Sequence, residues 1–77
     1  MISLDKLDNV FGKILRKRRL RENLSQEAFA FRAKLSRSFL SDLETGKKDP
    51  SLFTVFKIAN AFRLKPSILI DEVEHAI

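Results

Sequence analysis

Four polar side chains with complementary hydrogen-bonding capacity lie within one short stretch, at Arg37, Ser38, Ser41 and Asp42. In a helix, this spacing places them on the face opposite the apolar residues of the same stretch. A guanidinium donates two parallel hydrogen bonds, a hydroxyl donates and accepts, and a carboxylate only accepts. Such groups read base-pair edges in the major groove of DNA, and an arginine that bonds guanine O6 and N7 provides about 1 to 3 kcal/mol of discrimination. These residues are therefore candidates for contact with DNA bases, and Arg37 is the first among them.

Three of these residues also have a second interpretation. Arg37 can bond a phosphate instead of a base, and Ser38 can bond several bases or a phosphate. Asp42 can accept a hydrogen bond from cytosine N4, or it can orient Arg37, because phosphates repel a carboxylate. Phe39 is a fifth candidate, since its ring either touches a thymine methyl group or a sugar, or packs in the core.

The charge of the chain is positive and unevenly distributed. The formal net charge is +5, and the segment from Lys13 to Arg37 holds nine Lys or Arg residues against Glu22 and Glu27 only. From Asp49 onward the balance is slightly acidic. A basic surface favours polyanions because their counterions are released on binding. A solvated helix face or an acidic protein partner explains the charge equally well, so the nucleic-acid interpretation depends on the helices.

The elements that must present these residues are two short helices joined by a tight turn. Ser25 and Ser36 are the predicted N-caps, because a serine oxygen accepts from the exposed N–H groups of a first helical turn. Gly46 ends the second helix, and Lys34 lies in the turn between the two. The predicted buried faces are Ala28, Phe29, Ala30 and Ala33 in the first helix, and Leu40 and Leu43 in the second.

Three further helices complete the expected domain. The first runs from about Asp5 or Asp8 to Glu22, the fourth begins after Ser51, its predicted N-cap, and the fifth extends from Pro66 to about residue 74. Their expected core residues are Leu7, Phe11, Ile14 and Leu15, then Leu52, Val55, Phe56, Ala59 and Phe62, and finally Leu69, Val73 and Ala76. No segment alternates with the period of a strand, so we expect one all-α domain over residues 1–77.

The composition excludes several classes of protein. The chain has no cysteine and one histidine, His75, so it has neither a disulfide framework nor a zinc finger. It also lacks a Gly-rich phosphate loop and a cluster of metal ligands, so we expect no enzyme activity, no metal and no cofactor. No apolar run approaches the roughly 20 residues that span a bilayer, and Met1 to Asp5 do not resemble a signal peptide. We therefore expect a soluble cytoplasmic protein that does not associate with membranes.

Motifs spread along the chain resemble those of one family. They are Phe11-Gly12, Arg19, Leu24-Ser25-Gln26-Glu27, Leu35-Ser36, Leu43-Glu44, Gly46, Pro50-Ser51 and Lys57-Ile58-Ala59. Over about residues 10 to 70 they are similar to the Cro/repressor-type, or XRE-like, helix-turn-helix family. The resemblance implies a compact five-helix, lambda-repressor-like domain whose helix-turn-helix core covers about residues 25 to 45. It also implies a transcriptional regulator that binds double-stranded DNA, usually as a homodimer on an inverted repeat, in a prokaryote or phage.

The same resemblance implies roles for particular residues. Gln26 matches a glutamine that bonds a DNA phosphate, and the N–H groups of its helix N-terminus add to that anion site. Arg19 and Glu44 match an ion pair that joins the first helix to the end of the reading helix. Further candidates for phosphate contact are Ser25, Arg32, Lys34, Lys47 and Lys48.

The chain departs from the family pattern in the turn. Lys34 stands where the family usually has glycine, so we expect it to adopt a positive φ at a cost of about 1 kcal/mol. Asn23 also stands where glycine is common, but asparagine tolerates the left-handed region better than most residues. Arg18 occupies a position that is often apolar, and Phe31 one that is often charged. Arg18 is therefore open to an extra basic contact, and Phe31 is expected to be an exposed ring.

Apolar residues on the outer side of the last helix predict a homodimer. Ile68, Ile70 and Ile77 point away from the expected core and, with Phe53 on the fourth helix, form a candidate self-complementary patch. In such a dimer the helix at about residues 66–75 is the dimerisation element, and the two reading helices lie about 34 Å apart. Fraying of an apolar chain end is the alternative explanation.

A different class of function stays open at this point. An antitoxin or another protein-interaction module also uses basic helices, and RNA polymerase or a toxin remains a candidate protein partner. The sequence does not choose among phage repressors, restriction-modification controllers, antitoxins and general regulators. Nor does it give the operator, an effector, or the direction of regulation.

Overall fold

Five helices account for most of residues 4–77, the part of the chain that the computed structural model describes. They are α1 (Leu7–Arg21), α2 (Gln26–Ala33), α3 (Arg37–Glu44), α4 (Leu52–Ala61) and α5 (Pro66–Ala76). No strand occurs among these described residues, which confirms the all-α class. α1 ends one residue before the predicted Glu22, and α5 extends two residues beyond the predicted end. Residues 1–3, which belong to the N-terminal stretch that does not resemble a signal peptide, lie outside the described residues.

Serine side chains cap the start of three helices. The hydroxyl oxygens of Ser25 and Ser36 accept from the backbone N–H groups of Ala28 and Phe39, at 3.0 and 3.1 Å. Ser51 caps α4 in the same way. All three caps confirm the sequence prediction, and each contributes about 1 kcal/mol because it satisfies a helical N–H that has no partner within the helix.

Residues in the left-handed conformation follow the other ends of α1, α2, α3 and α4. They are Asn23, Lys34, Gly46 and Arg63, with φ angles of 59°, 58°, 77° and 59°. Their backbones close the last helical turn; for example, the N–H of Lys47 bonds the Asp42 carbonyl at 2.9 Å. The expected conformations of Gly46 and Lys34 are thus confirmed, and three of the four positions hold a side chain that disfavours them.

The five helices enclose one core: α1 packs against α3 and α5, and α2 packs against α3 and α4. Its fully enclosed side chains are Leu15, Phe29, Leu40, Leu43, Ile58 and Leu69. The rings of Phe29 and Phe62 stack with centroids 4.5 Å apart, which joins α2 to the end of α4. Most of the predicted core residues of α1, α3 and α5 are therefore in place.

Four predicted core residues are wrong or only partly right. Leu52 and Phe56 are 72% and 48% exposed, because α4 buries the face that carries Val55 and Ile58 instead. Ala28 in the first turn of α2 and Ala76 at the end of α5 are also exposed, since each lies beyond the contact with the neighbouring helix. The other predicted core residues of α2 and α4, among them Phe29, Ala33, Val55 and Ala59, are buried as predicted.

α1 packs against both α3 and α5. Gly12 lets the α1 backbone approach α3, and a Cβ at this position would lie 2.6 Å from the carbonyl oxygen of Glu44. Further along, the Arg18 guanidinium makes a bidentate ion pair with Glu72 of α5, at 2.5 and 2.8 Å. Arg18 therefore has a structural partner, which the sequence left unassigned.

Replacing Lys34 by glycine should stabilise the protein. Glycine removes the steric cost of the left-handed conformation, about 1 to 2 kcal/mol, and adds about 0.5 to 1 kcal/mol of unfolded-state entropy. We expect the free energy of unfolding in urea to rise by roughly 0.5 to 1 kcal/mol. Gly46→Ala is the matched control and should change stability in the opposite direction. A loss of stability in Lys34→Gly would show that the lysine side chain itself holds the turn.

Candidate nucleic-acid interface

The polar residues predicted to read bases share one shallow depression with Gln26 of α2. Its lining consists of Gln26, Arg37, Ser38, Ser41 and Asp42. α3 supplies four of these side chains because Leu40 and Leu43, on its opposite face, are fully buried. The structure thus brings together the candidates from two helices, and it leaves Arg37 and Ser38 exposed to a ligand.

Gln26 lies at the first turn of α2, where several backbone N–H groups point outward. Its side-chain amide donates to Glu44 Oε1 at 3.1 Å, so the end of the side chain is oriented. Ser25, the adjacent cap, is exposed next to it. Oriented donors and a helix N-terminus make this edge of the depression suitable for an anion.

A buried ion pair lies directly beneath this edge. Arg19 Nε and Nη2 donate to the two carboxylate oxygens of Glu44 at 2.6 and 2.9 Å, and the side chains are 7% and 2% exposed. Arg19 Nη1 also donates to the Leu24 carbonyl at 2.8 Å. The hydrogen bonds to Glu44 raise the pKa of the Arg19 guanidinium above its ordinary value. The structure therefore places the two residues in the ion pair that the family resemblance implied.

The remaining candidates on α3 have partners within the chain. The Asp42 carboxylate lies 3.7 Å from the ammonium group of Lys48. Phe39 is half-buried and packs against the core, and Lys48 lies 5.9 Å from the centre of its ring. These contacts favour the packing interpretation of Phe39 and a structural role for Asp42.

The basic candidates for phosphate contact lie outside the lining of the depression. Lys34 and Lys47 are exposed, and Arg32 is 3.4 Å from Glu22 in an exposed pair. Such a pair is worth about 1 kcal/mol or less, so Arg32 can exchange Glu22 for a phosphate.

The dimer candidates are exposed as well. Ile68, Ile70 and Ile77 are 45%, 46% and 42% exposed, and Phe53 is 73% exposed.

Phe31, on the outer side of α2, is the most exposed ring of the described chain at 88%. Among the described helices, none is long and apolar enough to cross a membrane.

Comparison with known proteins places this geometry in a family. A sequence model described as "Helix-turn-helix" matches residues 15–69, which includes the ion pair and the whole depression. The chain belongs to the XRE-like helix-turn-helix family. As an XRE-like protein it is a DNA-binding transcriptional regulator, and the family is regulatory, not enzymatic.

Individual relatives of this XRE-like protein include regulators of two kinds. Control protein C.BamHI of Bacillus amyloliquefaciens is 40% identical over 63 residues, which are 80% of this chain and 78% of that protein. The immunity repressor of Bacillus phage phi105 is 38% identical over 60 residues, 78% of this chain but 40% of the repressor. The crystal structure of the restriction-modification controller protein C.AhdI from Aeromonas hydrophila superposes with a TM-score of 0.76 at 38% identity, over 79% of this chain and 92% of that one.

Removing one member of the buried ion pair should cost far more than removing both. Arg19→Met leaves the Glu44 carboxylate buried without its partner, so we expect a loss of about 3 to 5 kcal/mol in the free energy of unfolding. The double variant Arg19→Met/Glu44→Leu replaces the pair by apolar groups and should recover much of that loss. Urea unfolding of the three proteins measures both values. A single-variant loss below about 1 kcal/mol would contradict a buried pair.

Proposed function

We propose that the protein is a homodimer that reads an inverted-repeat operator, with α3 of each protomer in the major groove of double-stranded DNA. The observation that supports this best is the shared depression, because it groups four α3 side chains with the anion-binding edge of α2. A recognition helix contacts bases near its N-terminus while the preceding helix crosses the backbone, and this division matches α3 and α2.

Arg37 is the proposed base-reading residue of the first turn of α3. It is exposed, and a guanidinium at this position can donate to both O6 and N7 of a guanine. Ser38 and Ser41 contribute weaker hydrogen bonds along the same face. Asp42 and Phe39 stay candidates for base contact, with the contacts to Lys48 and to the core arguing for support of α3 instead.

Phosphate contacts are proposed for the residues that border this face. Gln26 and Ser25 lie at the N-terminus of α2, where N–H groups, the helix dipole and an oriented amide all favour an anion. The exposed cations proposed to contact further phosphates are Arg32, Lys34, Lys47 and Lys48. These contacts fix the orientation of the protein on DNA, while the bases supply the specificity.

The proposed dimer forms through α5. Leu69 and Val73 cover the core of their own protomer, which leaves Ile68, Ile70 and Ile77 as exposed apolar groups on the same helix. Phe53 would extend this interface onto α4. Two-fold packing of these residues covers surface that water otherwise contacts and sets the two copies of α3 about 34 Å apart, one turn of DNA.

Control proteins of restriction-modification systems are the proposed functional class. The similarity to C.BamHI and C.AhdI extends over most of both chains, and it exceeds 35% identity in each case. Such a regulator acts on DNA in the cytoplasm of a prokaryote.

A random-duplex selection at near-physiological salt tests the proposed function. We expect enrichment of an inverted repeat that contains guanine, with a specific Kd of about 10⁻⁸ to 10⁻¹¹ M. Arg37→Ala should relax the guanine preference at one position of each half-site and weaken binding by about 1 to 3 kcal/mol.

Two controls make this selection decisive. Thermal unfolding must show that Arg37→Ala is folded, and Lys13→Ala, at an exposed position of α1, should select the same repeat as the wild type. A single half-site instead of a repeat would contradict dimeric reading. No enrichment at any salt concentration would contradict specific DNA binding and redirect attention to a protein partner, such as a toxin or RNA polymerase.

A further inference from the structure

A second basic surface lies between the C-terminal end of α2 and one side of α4. This α2–α4 groove is lined by Arg32, Ala33, Lys34, Phe53, Lys57, Asn60, Ala61 and Arg63. None of its residues lines the depression that holds Arg37 and Gln26. It is therefore a separate feature of the surface. The proposed function already uses Arg32 and Lys34 at one end of the groove, but it assigns no role to Lys57 or Arg63.

Every charged side chain in the lining of the groove is a cation. They are Arg32, Lys34, Lys57 and Arg63, and no acidic residue among those described lines the groove. Arg32 also pairs with the Glu22 carboxylate at 3.4 Å. A concave surface with this many cations concentrates anions.

Two backbone contacts give the groove a defined shape. Lys57 Nζ donates to the Lys34 carbonyl at 2.8 Å, and this bond joins α4 to the C-terminal end of α2. The same ammonium group lies 5.3 Å from the centre of the Phe53 ring. Arg63 follows α4 with a φ of 59°, in a turn closed by the N–H of Leu64 on the Ala59 carbonyl at 2.9 Å. The ammonium of Lys57 and the backbone that carries Arg63 are thus held in place.

The position of the groove relative to α3 favours the phosphates of DNA as the anion that it binds. Lys34 stands two residues before Ser36, the cap of α3, so the groove begins where the base-reading surface ends. α2 has eight residues and is about 12 Å long, close to the width of the major groove, about 12 Å. If Gln26 at the start of α2 contacts one phosphate backbone, the other end of α2 approaches the opposite one.

We propose that the α2–α4 groove binds the DNA backbone on the side of the major groove opposite Gln26, through Lys57 and Arg63 together with Arg32 and Lys34. This inference rests on the proposed function and adds a second phosphate site to it. The groove contacts phosphates and no base edges, so it adds affinity and salt dependence without changing the sequence that is read.

The double variant Lys57→Gln/Arg63→Gly tests the groove. Glycine is the preferred residue at a positive φ, so Arg63→Gly removes a charge and also relieves strain. Arg63→Gly alone is the second variant, because it keeps the Lys57 contact with α2. Lys13→Gln/Lys17→Gln is the matched control, since it removes two exposed cations from α1, away from the groove.

Affinity for the selected operator is measured in two series of experiments. In the first the salt concentration is varied, and in the second each duplex carries a single methylphosphonate, which neutralises one phosphate. Loss of two phosphate contacts should lower the slope of log K against log salt by about 2 per protomer, and by about 1 in Arg63→Gly. Methylphosphonates at the phosphates that the groove contacts should weaken DNA binding by the wild type and by the α1 control. The same substitutions should leave the affinity of the groove variant unchanged. The selected sequence should be the same in all four proteins.

Each other result has a defined meaning. An unchanged slope, or equal methylphosphonate losses in wild type and groove variant, would overturn the groove site while leaving the operator-reading proposal intact. Failure of the wild type to select any sequence would instead overturn the proposed function. A third result would assign the groove to an acidic protein: polyglutamate binds the wild type but not the groove variant, while the slopes of log K for DNA against log salt are the same in both. The DNA assignment would then be wrong.

Discussion

The buried pair between Arg19 and Glu44 is the interaction on which the rest of the structure depends. Burying two charges is costly, and the cost is met only when every polar atom has a partner. Here the guanidinium bonds both carboxylate oxygens and the Leu24 carbonyl, while Gln26 bonds the same carboxylate. One network therefore fixes α1, the start of α2 and the end of α3 relative to one another.

This network connects stability to DNA recognition. Glu44 is the last residue of α3, and Gln26 is the first residue of α2, so the hydrogen bond between them fixes the proposed reading helix α3 relative to α2. Gly12 contributes to the same junction because only a residue without a side chain lets α1 approach the end of α3. A substitution at these buried positions can thus abolish DNA binding without removing any contact to DNA.

The sequence predicted most of this architecture because its local signals are strong. Three serines mark helix starts, Gly46 marks a helix end, and the stripe of Leu40 and Leu43 shows which face of α3 is buried. The left-handed Lys34 was predicted from a family position and not from lysine itself, which disfavours that conformation. Comparison with the family thus supplied what propensity alone would have missed.

Other features depend on contacts between distant residues, which periodicity does not encode. Leu52 matched the apolar stripe of α4, but the buried face of the helix carries Val55 and Ile58, and Leu52 is exposed. Arg18 was recognised as an unusual residue, yet its partner Glu72 lies 54 positions away in the sequence. The contact between Asp42 and Lys48 likewise depends on how the loop after α3 folds. For the candidate site, the spacing predicted that the α3 residues share one face, and only the structure showed that Gln26 of α2 lies beside them.

Amide chemical-shift mapping by NMR, with the selected duplex added to labelled protein, tests the central claim most directly. That claim is that α3 and the N-terminus of α2, held together by the buried network, form the surface that binds DNA. We expect the largest changes in the amides of Gln26 to Ala28 and Arg37 to Asp42, with little change at the exposed residues of α1. Changes concentrated on α1 or α5, with α3 unaffected, would contradict this account.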